Sequence, residues 1–88
     1  MVLRSRGAEA YGEPTENGFL VRKGSRLSPD VTDKFKDSVK FANRLYLITE
    51  GIVNDDYVFT KDFTFFSAAN AASVISGSAG RADMWKEE

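Results

Sequence analysis

Residues 65–85 read FFSAANAASVISGSAGRADMW. Two Phe lead into a run that holds six Ala, the run loosens into Gly and Ser, and it closes on the only Trp of the chain. Ser67 is suited to cap a helix over AANAASVIS, because a Ser hydroxyl accepts from a first-turn N–H that has no helical partner. Gly77 stands where such a helix would end in the left-handed conformation. Ala is the best helix former, and a helix of small side chains can lie close to a neighbouring element. The space beside it is then filled by Phe63, Phe65, Phe66 and Trp85, since interiors pack small against large at near-crystalline density. The pattern predicts that the turn over residues 77–80 brings Trp85 back against Ala68, Ala72 or Val74.

Upstream, residues 33–50 (DKFKDSVKFANRLYLITE) carry a helical period. Phe35, Val39, Ala42, Leu45, Tyr46 and Thr49 recur at three- and four-residue steps, the spacing of one helix face. Thr32 is the expected N-cap, with Asp33 in the first turn, and Gly51 the expected stop. Residues 7–24 read as a β-hairpin turning at Asn17-Gly18, a dipeptide that tolerates positive φ. Beyond the turn, Phe19 and Val21 face one way and Leu20 and Arg22 the other. Ile52-Val53 and Tyr57-Val58-Phe59 flank the polar turn Asn54-Asp55-Asp56 and read as a second short hairpin. KDFTFF then continues as extended chain. Phe59, Phe63 and the pair Phe65-Phe66 are assigned mainly to the core, with one of the last two exposed because neighbours on a strand face opposite sides. The expected fold is α+β: a single domain over residues 1–88, two β-hairpins and two helices around one Phe-rich core, with residues 1–6 flexible.

The chain has 88 residues, 42% hydrophobic, 28% charged, and a net charge of −1, the values of a globular domain rather than a disordered tail. It contains neither Cys nor His. That removes a disulfide framework and the thiolate and imidazole ligands of most zinc, iron and copper sites, so no metal and no cofactor is expected. No apolar run approaches the roughly 20 residues of a membrane span, and the start MVLRSRGAEAYGE lacks the apolar stretch of a signal peptide. The cytoplasm is the expected compartment.

Catalytic patterns are lacking as well. GSAG at 77–80 follows a helix and carries no Lys of the Walker type. Asp55-Asp56 is an isolated acidic pair, whereas an oxygen-ligand site needs several converging groups. Ser25, Ser67 and Ser73 have no His to act as base. The expectation is therefore a protein that is not an enzyme. The feature that stands out is basic. Residues 22–44 hold Arg22, Lys23, Arg26, Lys34, Lys36, Lys40 and Arg44 against Asp30, Asp33 and Asp37. Lys36, Lys40 and Arg44 step by four and are assigned to one exposed stripe of the long helix. Helped by Arg22 and Lys23, they form the candidate phosphate-contacting face. The competing reading is an ordinary solvated helix face with local ion pairs.

TENGFLVRKGS, a helix ending EGIV, YVFTKDFTFFSAANAASVISG and the late Trp85-Lys86 together resemble the family called domain of unknown function 4357. The matching positions include Gly18, Phe19, Lys23, Gly24, Ser25, Asp62, Ser67, Gly77 and Trp85, and the likeness runs from about residue 7 to residue 86. Two places depart from the pattern: GRA stands for the family's Asn-Gly-Trp, and Asn70 stands where Ser is usual. The resemblance implies an accessory module of bacterial or archaeal proteins, often C-terminal to GIY-YIG nuclease domains or in restriction-modification settings. It therefore implies DNA or RNA, or a fused or neighbouring nuclease domain, as partner. Against this stands a reading of a different class, a protein-interaction or structural module that positions a neighbouring domain or pairs with itself through an apolar patch near Leu20, Leu47 or Phe66.

Overall fold

The computed structural model describes residues 1–88. Four strands, β1 (Val2–Ser5), β2 (Ala8–Thr15), β3 (Gly18–Val21) and β4 (Phe63–Phe65), form one antiparallel sheet in the order β1-β2-β3-β4. Two helices, α1 (Val39–Thr49) and α2 (Ala68–Ser76), pack with it, and single 3-10 turns occupy Phe35–Asp37 and Ala82–Met84. This is the α+β fold expected from the sequence.

The hairpin over residues 7–24 is present as β2 and β3, but its turn falls one residue early. Thr15 pairs with Gly18, so Glu16 and Asn17 make the loop, and neither has positive φ. Gly18 is instead the first residue of β3, at φ 154°, and a Cβ there would overlap the Phe65 carbonyl oxygen. Only Gly lets β3 and β4 approach so closely at this point.

Residues 1–6 are not a free tail. Ser5 pairs with Ala8 across Arg6 and Gly7, which have φ 53° and 88°. Positive φ at both central residues is the signature of a tight hairpin turn whose twist matches that of the strands. Val2 and Leu3 are buried, and Val2 exchanges backbone hydrogen bonds of 2.8 and 2.9 Å with Lys86, which lines the outer side of β1. On the solvent side Arg4 donates to Glu9 at 2.8 Å. This bond holds the Glu9 carboxyl below its usual range, so the pair contributes above that range and is lost as acid protonates Glu9.

The second hairpin is reduced to one bridge, Val53 with Phe59. Its turn is held by Asn54 Oδ1, which accepts from the N–H groups of Asp56 and Val58. KDFTFF supplies β4.

α2 follows its sequence signals closely. Ser67 Oγ accepts from Asn70 N at 3.0 Å, and Gly77 ends the helix in the left-handed conformation. Its residues from Ala71 to Ser76 are all buried. Trp85 lies against its first turn, with Nε1 donating to Ala68 O at 3.0 Å and its ring 4.5 Å from that of Phe19. The core joins these groups to Leu3, Ala10, Val21, Leu27, Leu47, Val53, Phe59 and Phe65. Phe65 is buried and Phe66 exposed, as the alternation along a strand requires. Ser67→Ala is expected to cost about 1 kcal/mol, the usual effect of losing an N-cap. A lowered denaturation midpoint with unchanged slope checks it.

Candidate functional site

The long helix differs from its sequence reading in start and in facing. Thr32 Oγ1 caps only the 3-10 turn, accepting from Phe35 N at 3.2 Å. The chain then extends at Ser38, whose Oγ accepts from Lys40 N at 3.0 Å and caps α1. This break separates Lys36 from Lys40 and Arg44. Lys36 sits on the 3-10 turn and faces Asp33 at 3.6 Å.

Arg44 points inward and is 3% exposed. Its guanidinium donates to Val74 O at 2.9 Å and to Ser28 O, and stands over the Tyr57 ring, 5.8 Å from the centroid. No carboxylate pairs with it, and burial pushes its pKa below the usual arginine range. It is a tie between α1, α2 and the segment around Ser28, so the exposed Lys36-Lys40-Arg44 stripe does not exist. Lys40 is half-buried, with Nζ 3.5 Å from Ser73 Oγ. Arg22 is exposed but bonded to Glu13, with Asp62 at 3.5 Å. Lys23 is exposed, and its backbone N–H donates to Asp62 Oδ1 at 2.8 Å. The five residues expected to form one cationic face lie on four different settings, and two of them are held by acids.

The same rotation turns a different face of α1 to the surface. Val39, Leu45 and Tyr46, whose spacing marks the helix, are 78%, 48% and 56% exposed. Phe66, just beyond β4, is 87% exposed. Between α1 and β4 lies a shallow groove of about 240 Å³ walled by Asn43, Tyr46, Leu47, Phe63, Phe65 and Phe66. β4 is the last strand of the sheet, and none of its backbone groups bonds outside the β3 ladder. A bare strand edge thus adjoins an apolar helix face. Leu47 is buried at the base of the groove and Leu20 half-buried on the sheet, so of the three expected patch residues only Phe66 projects. No group of three or more Asp or Glu side chains converges where an ion could be held, and no helix is long and apolar enough to cross a membrane.

The profile of a protein family described as Domain of unknown function (DUF4357) matches residues 1–88, the whole chain. The chain belongs to this family. No curated protein and no solved structure matches it.

The DUF4357 motif positions have structural tasks. Phe19 and Trp85 pack ring against ring, tilted by 42°, in the core. Gly24 takes φ 92°, and its N–H donates to Phe59 O at 2.9 Å. Ser25 is fully buried, and its Oγ accepts from Tyr11 N at 3.0 Å, tying the loop after β3 to β2. Asp62 holds Lys23 and Arg22. Ser67 and Gly77 cap α2, and Gly18 admits β4. Lys-Gly-Ser at 23–25 and the distant Asp62 are thus two halves of one fastening. The sequence offered no direct sign of it, because the partners are 39 residues apart.

Proposed function

We propose that this DUF4357 domain is a non-enzymatic interaction module that pairs with a second copy of itself through the outer face of α1, Phe66 and the edge of β4. The observation that carries this is the apolarity of α1 on two sides. Leu47, with Phe41 and Ile48 partly covered, faces inward, while Val39, Leu45 and Tyr46 face solvent. A surface helix ordinarily has one apolar stripe, and clustered exposed apolar groups mark contact sites. The neighbouring strand edge favours self-pairing. Two β4 edges can meet antiparallel about a two-fold axis, satisfying their free backbone groups and bringing both Phe66 side chains into one interface. The lack of a His, of a Cys and of a carboxylate cluster supports the non-enzymatic reading. The family resemblance supports a cytoplasmic accessory role beside a nucleic-acid-processing domain, with the module acting as its dimerising element.

Sedimentation measured from about 1 µM to about 1 mM, a span of roughly 4 kcal/mol in binding free energy, tests this. The expected mass rises with concentration. The midpoint shifts at least tenfold when Phe66→Ser and Tyr46→Ser are combined, and it changes little with salt because the interface is apolar. A mass that stays at one chain throughout overturns self-pairing.

A further inference from the structure

At the N-terminal end of α1 the protein forms a second, larger open cleft of about 470 Å³. Its walls include Thr32, Lys34, Ser38, Lys40, Ser73 and Ser78, with Phe35 as the apolar side. The loop over residues 77–80 makes this space. Gly77 and Gly80 lie so close to Asp30 and to the α2 backbone that a Cβ at either would overlap them. Thr32 N donates to Gly77 O at 2.9 Å, and Gly80 N donates to Ser73 Oγ at 2.8 Å. The loop therefore lies flat on α2, and the wall opposite is formed by the 3-10 turn and the start of α1.

The hydrogen-bond inventory of the lining is one-sided. Thr32 Oγ1 accepts from Phe35 N, Ser38 Oγ from Lys40 N, and Ser73 Oγ from both Gly80 N and Lys40 Nζ. None of these three hydroxyls donates to a protein acceptor, and Ser73 is 1% exposed. A hydroxyl has one donor and two acceptor sites, so each keeps an O–H without a protein partner. Lys34 adds three N–H donors and Lys40 the remainder of its own. No carboxylate lines the cavity, and Asp33 in the same segment turns to Lys36 at 3.6 Å. A concave site that offers three O–H donors and two positive charges, and no carboxylate, is complementary to an anionic group rich in acceptors.

We infer that this cavity binds a phosphomonoester, with Lys34 and Lys40 neutralising the dianion and the Thr32, Ser38 and Ser73 hydroxyls donating to its oxygens. The volume exceeds what a bare phosphate needs and falls in the range of small-molecule sites, roughly 300–1,000 Å³. The rest of the ligand is then a moiety of nucleoside size lying along Phe35. Such a group occurs on a free nucleotide and on the phosphorylated end of an oligonucleotide. The lining shares no residue with the Val39, Leu45, Tyr46 and Phe66 surface, although Ser38 and Lys40 flank Val39 at the start of α1.

Amide chemical-shift titrations at low salt test the inference with four probes: inorganic phosphate, a nucleoside 5′-monophosphate, the unphosphorylated nucleoside, and a short oligonucleotide with and without a 5′-phosphate. The monophosphate is expected to shift the amides of residues 32–40, 73 and 78–80. Inorganic phosphate should compete for the same amides, and the nucleoside should leave them in place. A response to the oligonucleotide only when it is 5′-phosphorylated assigns nucleic-acid ends as a source; a response to the mononucleotide alone assigns the free nucleotide. Lys34→Gln and Lys40→Gln are each expected to weaken binding about tenfold and together to flatten its salt dependence, while the amide spectrum elsewhere is kept. Phe66→Ser should leave binding unchanged, which separates this result from the pairing of two copies. The inference is overturned if neither phosphate nor monophosphate shifts these amides at about 10 mM, far weaker than ordinary ligand sites. It is also overturned if the nucleoside binds as well as its phosphate, or if the double Gln variant binds like the parent.

Discussion

Trp85→Ala is expected to destabilise the domain by about 3–5 kcal/mol, the cost of emptying a buried aromatic site. Native domains are stable by only about 5–15 kcal/mol, so the variant is expected to be largely unfolded or to melt far below the parent. Trp85 is 3% exposed, touches Phe19, and ends the segment that pairs with β1 through Lys86. Its loss therefore opens a cavity where three elements meet: α2, β3 and the chain joining the end of the sheet. The side chain also satisfies its indole N–H on Ala68 O. Trp85→Phe keeps most of the apolar burial and needs no such bond, so a cost of about 1–2 kcal/mol is expected. Far-UV circular dichroism against denaturant measures all three proteins. A parent emission maximum typical of exposed indole, or an Ala variant within about 1 kcal/mol of the parent, would contradict this packing.

Arg44→Ala should cost about 3 kcal/mol. Hydrogen bonds to charged groups are worth about 1.5–3 kcal/mol each, and Arg44 makes two, to Val74 O and Ser28 O, with a cation–π contact to Tyr57 besides. Relief of the buried charge offsets part of this sum. Arg44→Lys should recover less than half, because an ammonium cannot span two carbonyls that a planar guanidinium reaches at once. Arg44→Gln is also expected to destabilise, so the variant changing Lys36, Lys40 and Arg44 together to Gln would report on folding rather than on phosphate contact. The pH dependence of this group follows from its lowered pKa. Near that depressed value the unfolded chain holds more protons than the native one, so stability rises with pH only in the strongly alkaline range of arginine. Between about pH 6 and pH 9 Arg44 remains charged, and the cost of Arg44→Ala should be constant.

The candidate site shows how far charge spacing reaches. Lys36, Lys40 and Arg44 are four residues apart, which fixes a common face only if one helix holds all three. Ser38 ends that premise by capping α1 after Lys36. Arg22 and Lys23 are surface positions, as expected, and the hairpin itself brings Glu13 to Arg22, but Asp62, 39 residues beyond Lys23, is linked to them by no local pattern. The donor-lined cavity was wholly illegible, because it assembles Thr32, Lys34, Ser38 and Lys40 with Ser73 and Ser78 from across the fold.

What the chain itself determined is everything governed by nearest neighbours. Ser67, the Ala run and Gly77 define α2 because capping and helix propensity act within a turn or two. Small residues beside a late Trp foretold the docking of Trp85 near Ala68, since volume must be filled wherever a thin helix leaves it. The pairing of β2 with β3 was legible from Gly18 and the alternation after it, while the equally short turn at Arg6-Gly7 was not, its first residue being no usual bearer of positive φ. Only the tertiary structure decided which side of α1 lies inside. Val39, Ala42 and Tyr46 share one helical period, and Phe41, Arg44, Leu47 and Ile48 share another rotated by about half a turn. Periodicity cannot choose between two stripes of the same pitch. The choice fell to the partners across the core: the open carbonyls of Ser28 and Val74 and the ring of Tyr57 receive Arg44. Anchoring that guanidinium inward sends Val39 and Tyr46 out to solvent.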